Sequence, residues 1–161
     1  MSYTSVYEVF KTKANCLTEL HNGHGSGPAI WDYVSLKCNG VKLPMFGKLD
    51  AFWRLWKDQR LDKDEKACLL STYDYAVVEK KYLFEFAKAC HRIHDKIISE
   101  TEWTWNHFSN IGDTATKLYD KHDHRSFGLG IGCTSVSDPW EFKFNYKECW
   151  GVYELIKTLK K

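Results

Sequence analysis

Residues 61–100 contain neither glycine nor proline and are rich in apolar side chains. From residue 79 to residue 98, apolar residues recur at every third or fourth position, which is typical of one face of an α-helix. This face consists of Tyr82, Leu83, Phe86, Cys90, Ile93 and Ile97. A helix of about twenty residues is about 30 Å long, roughly the diameter of a small domain. The sequence therefore predicts a long central helix around which a single core is built.

The length and composition favour one globular domain over residues 1–161. A chain of 161 residues is long enough for one well-filled core and short for two. Aromatic residues make up 16% of the chain, which is a high fraction. Aromatic side chains fill cores and also anchor protein interfaces. We expect most of them in the core and some of them on a partner-binding surface.

The charge and hydropathy patterns argue against nucleic-acid and membrane partners. The net charge of +2 is small, whereas nucleic-acid binding usually involves a basic stripe and a pI above about 9. The chain has no apolar run of about 18 residues, so no membrane span is predicted. The N-terminal residues lack the apolar core of a signal peptide. We therefore expect a cytoplasmic protein.

The cysteines and histidines form no complete metal motif. The six cysteines are spread along the chain without a close pair, and we expect buried free thiols and no disulfides. His91 and His94 lie three positions apart on the central helix and could ligate zinc together. Because neither an HExxH nor a CxxC motif accompanies them, we expect no metal and no cofactor.

Shorter elements precede and follow the central helix. Their composition predicts a strand over residues 5–12, a weaker strand candidate over 16–20, and helices over 29–38, 48–59, 65–72 and from about 104 to the polar loop that follows. Asp62 or Asp64 can cap the helix at 65–72. Asp74 predicts a bend before the central helix, because aspartate favours caps and turns.

The C-terminal part has strand character. Residues 127–136 are rich in glycine and β-branched side chains, and residues 140–146 alternate aromatic with polar side chains, as in a half-buried strand. The turn signal Ser137-Asp138-Pro139 between them predicts a hairpin. The sequence thus predicts a single α+β domain. It would contain four to five helices around the long central helix, and a small antiparallel sheet with a C-terminal hairpin.

The loop at residues 21–27, HNGHGSG, is the first candidate binding site. It precedes Pro28 and a predicted helix, and the N–H groups at a helix N-terminus attract phosphate or carboxylate. The candidate binding residues are His21, His24, Ser26 and the nearest aromatic residue, Trp31. Because the loop matches neither GxxxxGK[ST] nor GxGxxG, a tight structural turn is the alternative interpretation.

The polar loop at residues 122–125, His-Asp-His-Arg, is the second candidate. Imidazole titrates near neutral pH, so this loop could hold a phosphate or an acid–base pair. Its candidate binding residues are His122, His124 and Arg125. The alternative is a solvated loop without a ligand.

Four segments together resemble small uncharacterised accessory proteins of tailed bacteriophages. They are GSGPAIWDYV (25–34), STYDYAVV (71–78), WNHFSNI (105–111) and IGCTSVSDPWEF (131–142). Trp105 departs from the resembled pattern, which favours an aliphatic residue before Asn-His. The resemblance implies a phage accessory protein and carries over no activity and no catalytic residue.

Together these patterns predict a non-enzymatic protein that binds a host protein, for example a defence or transcription component, and inhibits or redirects it. The alternative is a small enzyme or a nucleotide- or anion-binding protein that uses the loop at residues 21–27. In that case the ligand could be a small molecule that contains phosphate.

Overall fold

The computed structural model describes residues 2–10, 13–22, 33, 60–70, 76–100 and 106–132, and these residues have an α+β architecture. The described elements are β1 (Ser2–Val9), β2 (Ala14–Asn22), α1 (Lys63–Leu70), β3 (Ala76–Glu79), α2 (Leu83–Glu100), α3 (His107–Asp120) and β4 (Gly128–Gly132). A short 3-10 helix, Lys80–Tyr82, joins β3 to α2. The helices α1 and α3 both pack against α2, and α3 also contacts β1, β2 and β4.

The strands form one antiparallel sheet in the order β2–β1–β4–β3. β1 and β2 follow each other in the chain, and Phe10 N donates to Lys13 O (2.8 Å) in the connection between them. The register between these strands shifts after Val6, which pairs with Thr18, whereas Tyr7 pairs with Cys16. Leu17 is therefore the extra residue of a β-bulge.

The predicted strands are confirmed where they are described, and β4 pairs with two strands that are distant from it in the chain. The strand expected at residues 5–12 is β1, and the weaker candidate at 16–20 is part of β2. β4 belongs to the glycine-rich segment, and it pairs with β1 on one edge and with β3 on the other. Both edges of Gly128–Gly132 are thus occupied. The expected hairpin partner at 140–146 lies outside the described residues.

The central helix is confirmed, but it begins at Leu83 rather than at residue 79. Ala76–Glu79 is a strand at the edge of the described sheet. Its two β-branched valines pair with β4. Leu83, Phe86, Cys90, Ile93 and Ile97 of the predicted face are buried. The periodicity therefore identified the face correctly and placed the first residue too early.

The helix α1 begins with a capping box. Glu65 N donates to Asp62 Oδ1 (2.9 Å), and Asp62 N donates to Glu65 Oε1 (3.2 Å). Asp64, the other candidate cap, instead accepts hydrogen bonds from Arg92 of α2, with 2.9 Å between Arg92 Nε and Asp64 Oδ1. Lys96 Nζ lies 3.0 Å from Asp62 Oδ2. These ion pairs tie the start of α1 to the middle of α2.

Glycines lie at two close contacts between elements. A Cβ at Gly112 of α3 would lie 2.8 Å from His91 Nε2 and 3.1 Å from Ala87 O, so a side chain there would require His91 to move and α2 and α3 to shift slightly. Gly128 has a φ of +142°, and a Cβ there would lie 2.0 Å from Val78 O. The first contact sets the distance between two helices, and the second allows β4 to begin beside β3.

Two cysteines on facing helices lie in the core. Cys68 of α1 and Cys90 of α2 are buried thiols, and burial raises the pKa of both. Cys16 is free but exposed, contrary to the expectation of buried thiols. The largest fully buried side chains are Tyr7, Leu69, Leu83, Phe86, Ile93, Ile111, Leu129 and Ile131.

Other predicted elements fall wholly or partly outside the described residues. These are the helices at 29–38 and 48–59, the end of the helix at 65–72, the bend at Asp74 and the remaining cysteines at 38, 133 and 149. Within the first of these helices, Tyr33 is described and has helical backbone. Its hydroxyl donates to Glu100 Oε2 (2.9 Å) at the end of α2. No described helix has the length and apolar character needed to cross a membrane.

Replacing Phe86 with alanine should lower the free energy of unfolding by roughly 3–5 kcal/mol, because it removes a fully buried ring from α2. The matched control is Phe84→Ala, which removes the same side chain where the ring is 51% exposed. Equilibrium urea unfolding measures both variants. A loss below about 1 kcal/mol for Phe86→Ala, or equal losses for both variants, would contradict the assigned face.

Candidate functional site

The structure describes only the start of the first predicted site. His21 and Asn22 are the last residues of β2, where His21 pairs with Tyr3. The predicted loop therefore begins after Asn22 and not at His21, because the β1–β2 ladder continues to this point. His24, Ser26 and Trp31 lie outside the described residues, so their roles stay predictions.

The second predicted site, at residues 122–125, is a turn stabilised by an internal ion pair. Asp123 Oδ1 accepts hydrogen bonds from Arg125 N (3.0 Å) and Nε (3.2 Å), and its Oδ2 accepts one from Arg125 Nη2 (3.2 Å). The hydrogen bonds from Arg125 lower the pKa of Asp123 to about 2. Lys80 Nζ donates to the carbonyl oxygen of Asp123. Arg125 thus uses its guanidinium within the loop, whereas the side chains of His122 and His124 are exposed.

A cleft of about 500 Å³ lies between the strands β1 and β2 and the helix α3. This volume falls within the range of about 300–1,000 Å³ that is common for ligand sites. We call it the Glu8 cleft, and it is lined by Glu8, Leu17, Thr18, Asn110, Asp113, Thr114, Lys117, Leu118 and Lys121. The cleft could not be predicted from the sequence, because α3 is distant in the chain from β1 and β2.

Glu8 is the buried charge of the cleft. Its side chain is only 2% exposed, and its Oε1 accepts a hydrogen bond from Lys121 Nζ at 2.8 Å. Its Oε2 is buried and has no hydrogen-bond partner among the described residues. Because nearly all buried polar atoms in proteins have a partner, an unpaired carboxylate oxygen is an unusual feature.

Lys121 follows directly after the last residue of α3 and contacts Glu8 from the solvent side. Its side chain is 53% exposed. The hydrogen bond to Glu8 raises the pKa of Lys121, so its ammonium group is charged over the physiological pH range. The contact therefore joins a buried carboxylate to a lysine whose side chain is about half exposed.

Three rings form a second surface feature, which we call the aromatic row: Phe84 of α2, Tyr119 of α3 and His122. The ring centroids of Phe84 and Tyr119 are 5.5 Å apart, and those of Tyr119 and His122 are 5.7 Å apart. Lys88 Nζ lies 4.2 Å from the centroid of the Phe84 ring, within cation–π distance. His122 has a φ of 51°, a conformation that non-glycine residues rarely adopt.

The described residues offer no cluster for a metal ion. No group of three or more histidine, cysteine, aspartate or glutamate side chains within them could hold one. His91, one of the two histidines considered as zinc ligands, has its Nε2 atom 3.4 Å from Asp113 Oδ1 on α3. This contact joins α2 to α3 beside Gly112.

Comparison with known proteins finds no matching family model, no matching curated protein and no matching solved structure.

The Glu8 cleft and the aromatic row meet at the C-terminal end of α3. Lys117, Leu118 and Lys121 line the cleft, whereas Tyr119 and His122 belong to the row. One of the two predicted sites, the loop at residues 122–125, adjoins both features. The charged composition of this loop was enough to predict it as a site. The contacts of Tyr119 with Phe84 and His122 depend on how α2 packs against α3, so they could not be predicted from the sequence.

Replacing Arg125 with glutamine should raise the pKa of Asp123 from about 2 towards the ordinary value of about 3.9, because the variant lacks the guanidinium. Carboxyl-carbon NMR titration measures this pKa. The control is His124→Gln, which removes a neighbouring imidazole but no described hydrogen bond to Asp123. An equal pKa shift in both variants, or no shift in Arg125→Gln, would contradict the observed turn.

Proposed function

We propose that this protein is a non-enzymatic binding protein whose partner is a protein of the host cell, and that it inhibits or redirects this partner. The aromatic row carries the proposal. The ring of Tyr119 contacts those of Phe84 and His122, and Phe84 is 51% exposed. A single exposed apolar side chain is common, but three adjoining rings form a continuous surface of the kind that anchors protein interfaces.

The composition of the row suits protein recognition. An aromatic side chain buries a large area while losing few rotamers, and tyrosine adds a hydroxyl for hydrogen bonding. Phe84 and Tyr119 lie on packed helices, so their backbone is already ordered before a partner binds. These features support an interface that is ordered before the partner arrives.

The charges around the row favour an acidic partner surface. Lys88 is exposed, and its Nζ lies 4.2 Å from the centroid of the Phe84 ring. Complementary charges at the rim of an interface mainly increase the association rate and the specificity. A partner with carboxylates beside an apolar centre would match this surface.

Further parts of the proposal rest on the sequence. The resemblance supports a phage-encoded protein, and the host cytoplasm is then its proposed location. We also propose that helices at residues 29–38 and 48–59 complete a set of four to five around α2, with a C-terminal hairpin beyond β4. The alternative is a small enzyme or a nucleotide- or anion-binding protein that uses the loop at residues 21–27, most of which lies outside the described residues.

Capture of a partner from host-cell lysate, followed by mass spectrometry, tests the proposal when the captured protein is then titrated against variants. Phe84→Ala should weaken its binding by about 2 kcal/mol or more, roughly thirty-fold, as is typical of an interface anchor. Ile98→Ala is the matched control, because Ile98 is a 45% exposed apolar residue on the same helix outside the row.

Equal affinities of the captured protein for the wild type and Phe84→Ala would contradict a role for the row. Equal losses for Phe84→Ala and Ile98→Ala would indicate a general effect on α2. Urea unfolding of both variants confirms that they are folded before the affinities are compared.

A further inference from the structure

We propose that the Glu8 cleft binds a guanidinium group, such as an arginine side chain, which pairs with Glu8 after displacing Lys121. This site adjoins the aromatic row but shares no residue with it, so it does not depend on the function proposed above. Lys121 acts in the free protein as an internal cation that occupies part of the site.

The hydrogen bonds of Glu8 favour guanidinium as the ligand. Lys121 satisfies only Oε1 of the buried carboxylate, and Oε2 lacks a partner among the described residues. An ammonium group is a compact charge, whereas a guanidinium presents parallel N–H groups that match both oxygens of one carboxylate. A guanidinium in place of Lys121 would therefore satisfy the oxygen that the lysine leaves unpaired.

The exchange requires movement of Lys121 and not of the sheet. Glu8 lies in β1 between β2 and β4 and is held by pairing on both sides. Lys121 lies after the end of α3, and its side chain is 53% exposed. The ammonium group of Lys121 can return to water when a ligand takes its place. The carboxylate of Glu8 is then paired with Lys121 before the exchange and with the ligand after it.

The rest of the cleft lining suits the same ligand. Leu17 and Leu118 provide apolar contacts for an alkyl chain, and Asn110 and Asp113 provide oxygen acceptors for the remaining N–H groups of a guanidinium. Lys117 adds a positive charge, which opposes a second cation in the cleft. The site therefore fits one guanidinium group better than a polybasic segment.

The direct test is titration of the protein with Nα-acetyl-arginine amide and with Nα-acetyl-lysine amide, followed by amide NMR. The arginine probe should shift the signals of Glu8 and its neighbours and should bind roughly tenfold more tightly than the lysine probe. Equal affinities, or no saturable shift at the cleft with either probe, would overturn the proposal.

Two variants distinguish ligand exchange from a purely structural ion pair. Glu8→Gln should weaken binding of the arginine probe roughly tenfold or more, because the amide carries no charge. Lys121→Met removes the internal competitor and should strengthen binding more than Lys117→Met, which removes a cleft cation outside the ion pair. Unchanged binding in Glu8→Gln, or equal gains in both lysine variants, would overturn the proposal.

The wild type provides a readout that does not depend on the folding of any variant. Glu8 raises the pKa of Lys121, so a saturating arginine probe should return this pKa towards the ordinary value of about 10.4. An unchanged Lys121 pKa at saturation would overturn the exchange. Free arginine and a capped Ala-Arg-Ala peptide distinguish the natural source of the group, since a peptide site binds the capped peptide more tightly.

Discussion

The insertion of β4 between β1 and β3 is the constraint on which the rest of the described structure depends. It joins the N-terminal β1–β2 pair to the β3–α2 segment, although these parts are far apart in the chain. The loop before β4 adds two backbone hydrogen bonds to this connection. Phe127 N donates to Val9 O (2.8 Å), and Lys80 N donates to Phe127 O (2.9 Å). The start of β4 in turn requires glycine, since a Cβ at Gly128 would lie 2.0 Å from Val78 O.

The position of β4 between β1 and β3 also places the candidate sites. Glu8 pairs with Leu129 of β4, so the position of β4 relative to β1 also fixes where the preceding helix and loop can lie. Lys121, at the end of α3, is thereby brought to the buried carboxylate of Glu8. On the other side, the close approach of α3 to α2 at Gly112 accompanies the contact of Tyr119 with Phe84. One helix thus contributes to both the Glu8 cleft and the aromatic row.

Local patterns were enough to predict the elements but not their partners. The apolar face of α2, the N-terminal strand and the end of the helix before the polar loop were all predictable, because periodicity and turn residues are local properties. The strand β3 was not predicted, and its last residue, Glu79, was assigned to the helix, because the pairing that makes it a strand involves residues 128–131, some fifty positions later.

The candidate sites were only partly predictable for the same reason, since they too depend on residues that are distant in the chain. The charged loop at residues 122–125 was identified from its composition, but its carboxylate and guanidinium prove to pair with each other. In the sequence, Glu8 is a single polar residue in a predicted strand. Its burial depends on neighbours from β2, β4 and α3, which the sequence does not reveal. Phe84 lies next to the apolar face in sequence, and only the packing of α3 shows that it contacts Tyr119.

Amide hydrogen exchange along β4 tests the central position of this strand most directly. In an antiparallel sheet, a strand that is paired on one edge has every second amide in the ladder, whereas a strand paired on both edges has consecutive amides bonded. The consecutive amides of Leu129, Gly130 and Ile131 should therefore all exchange slowly. Fast exchange at every second amide of β4 would contradict its insertion between β1 and β3.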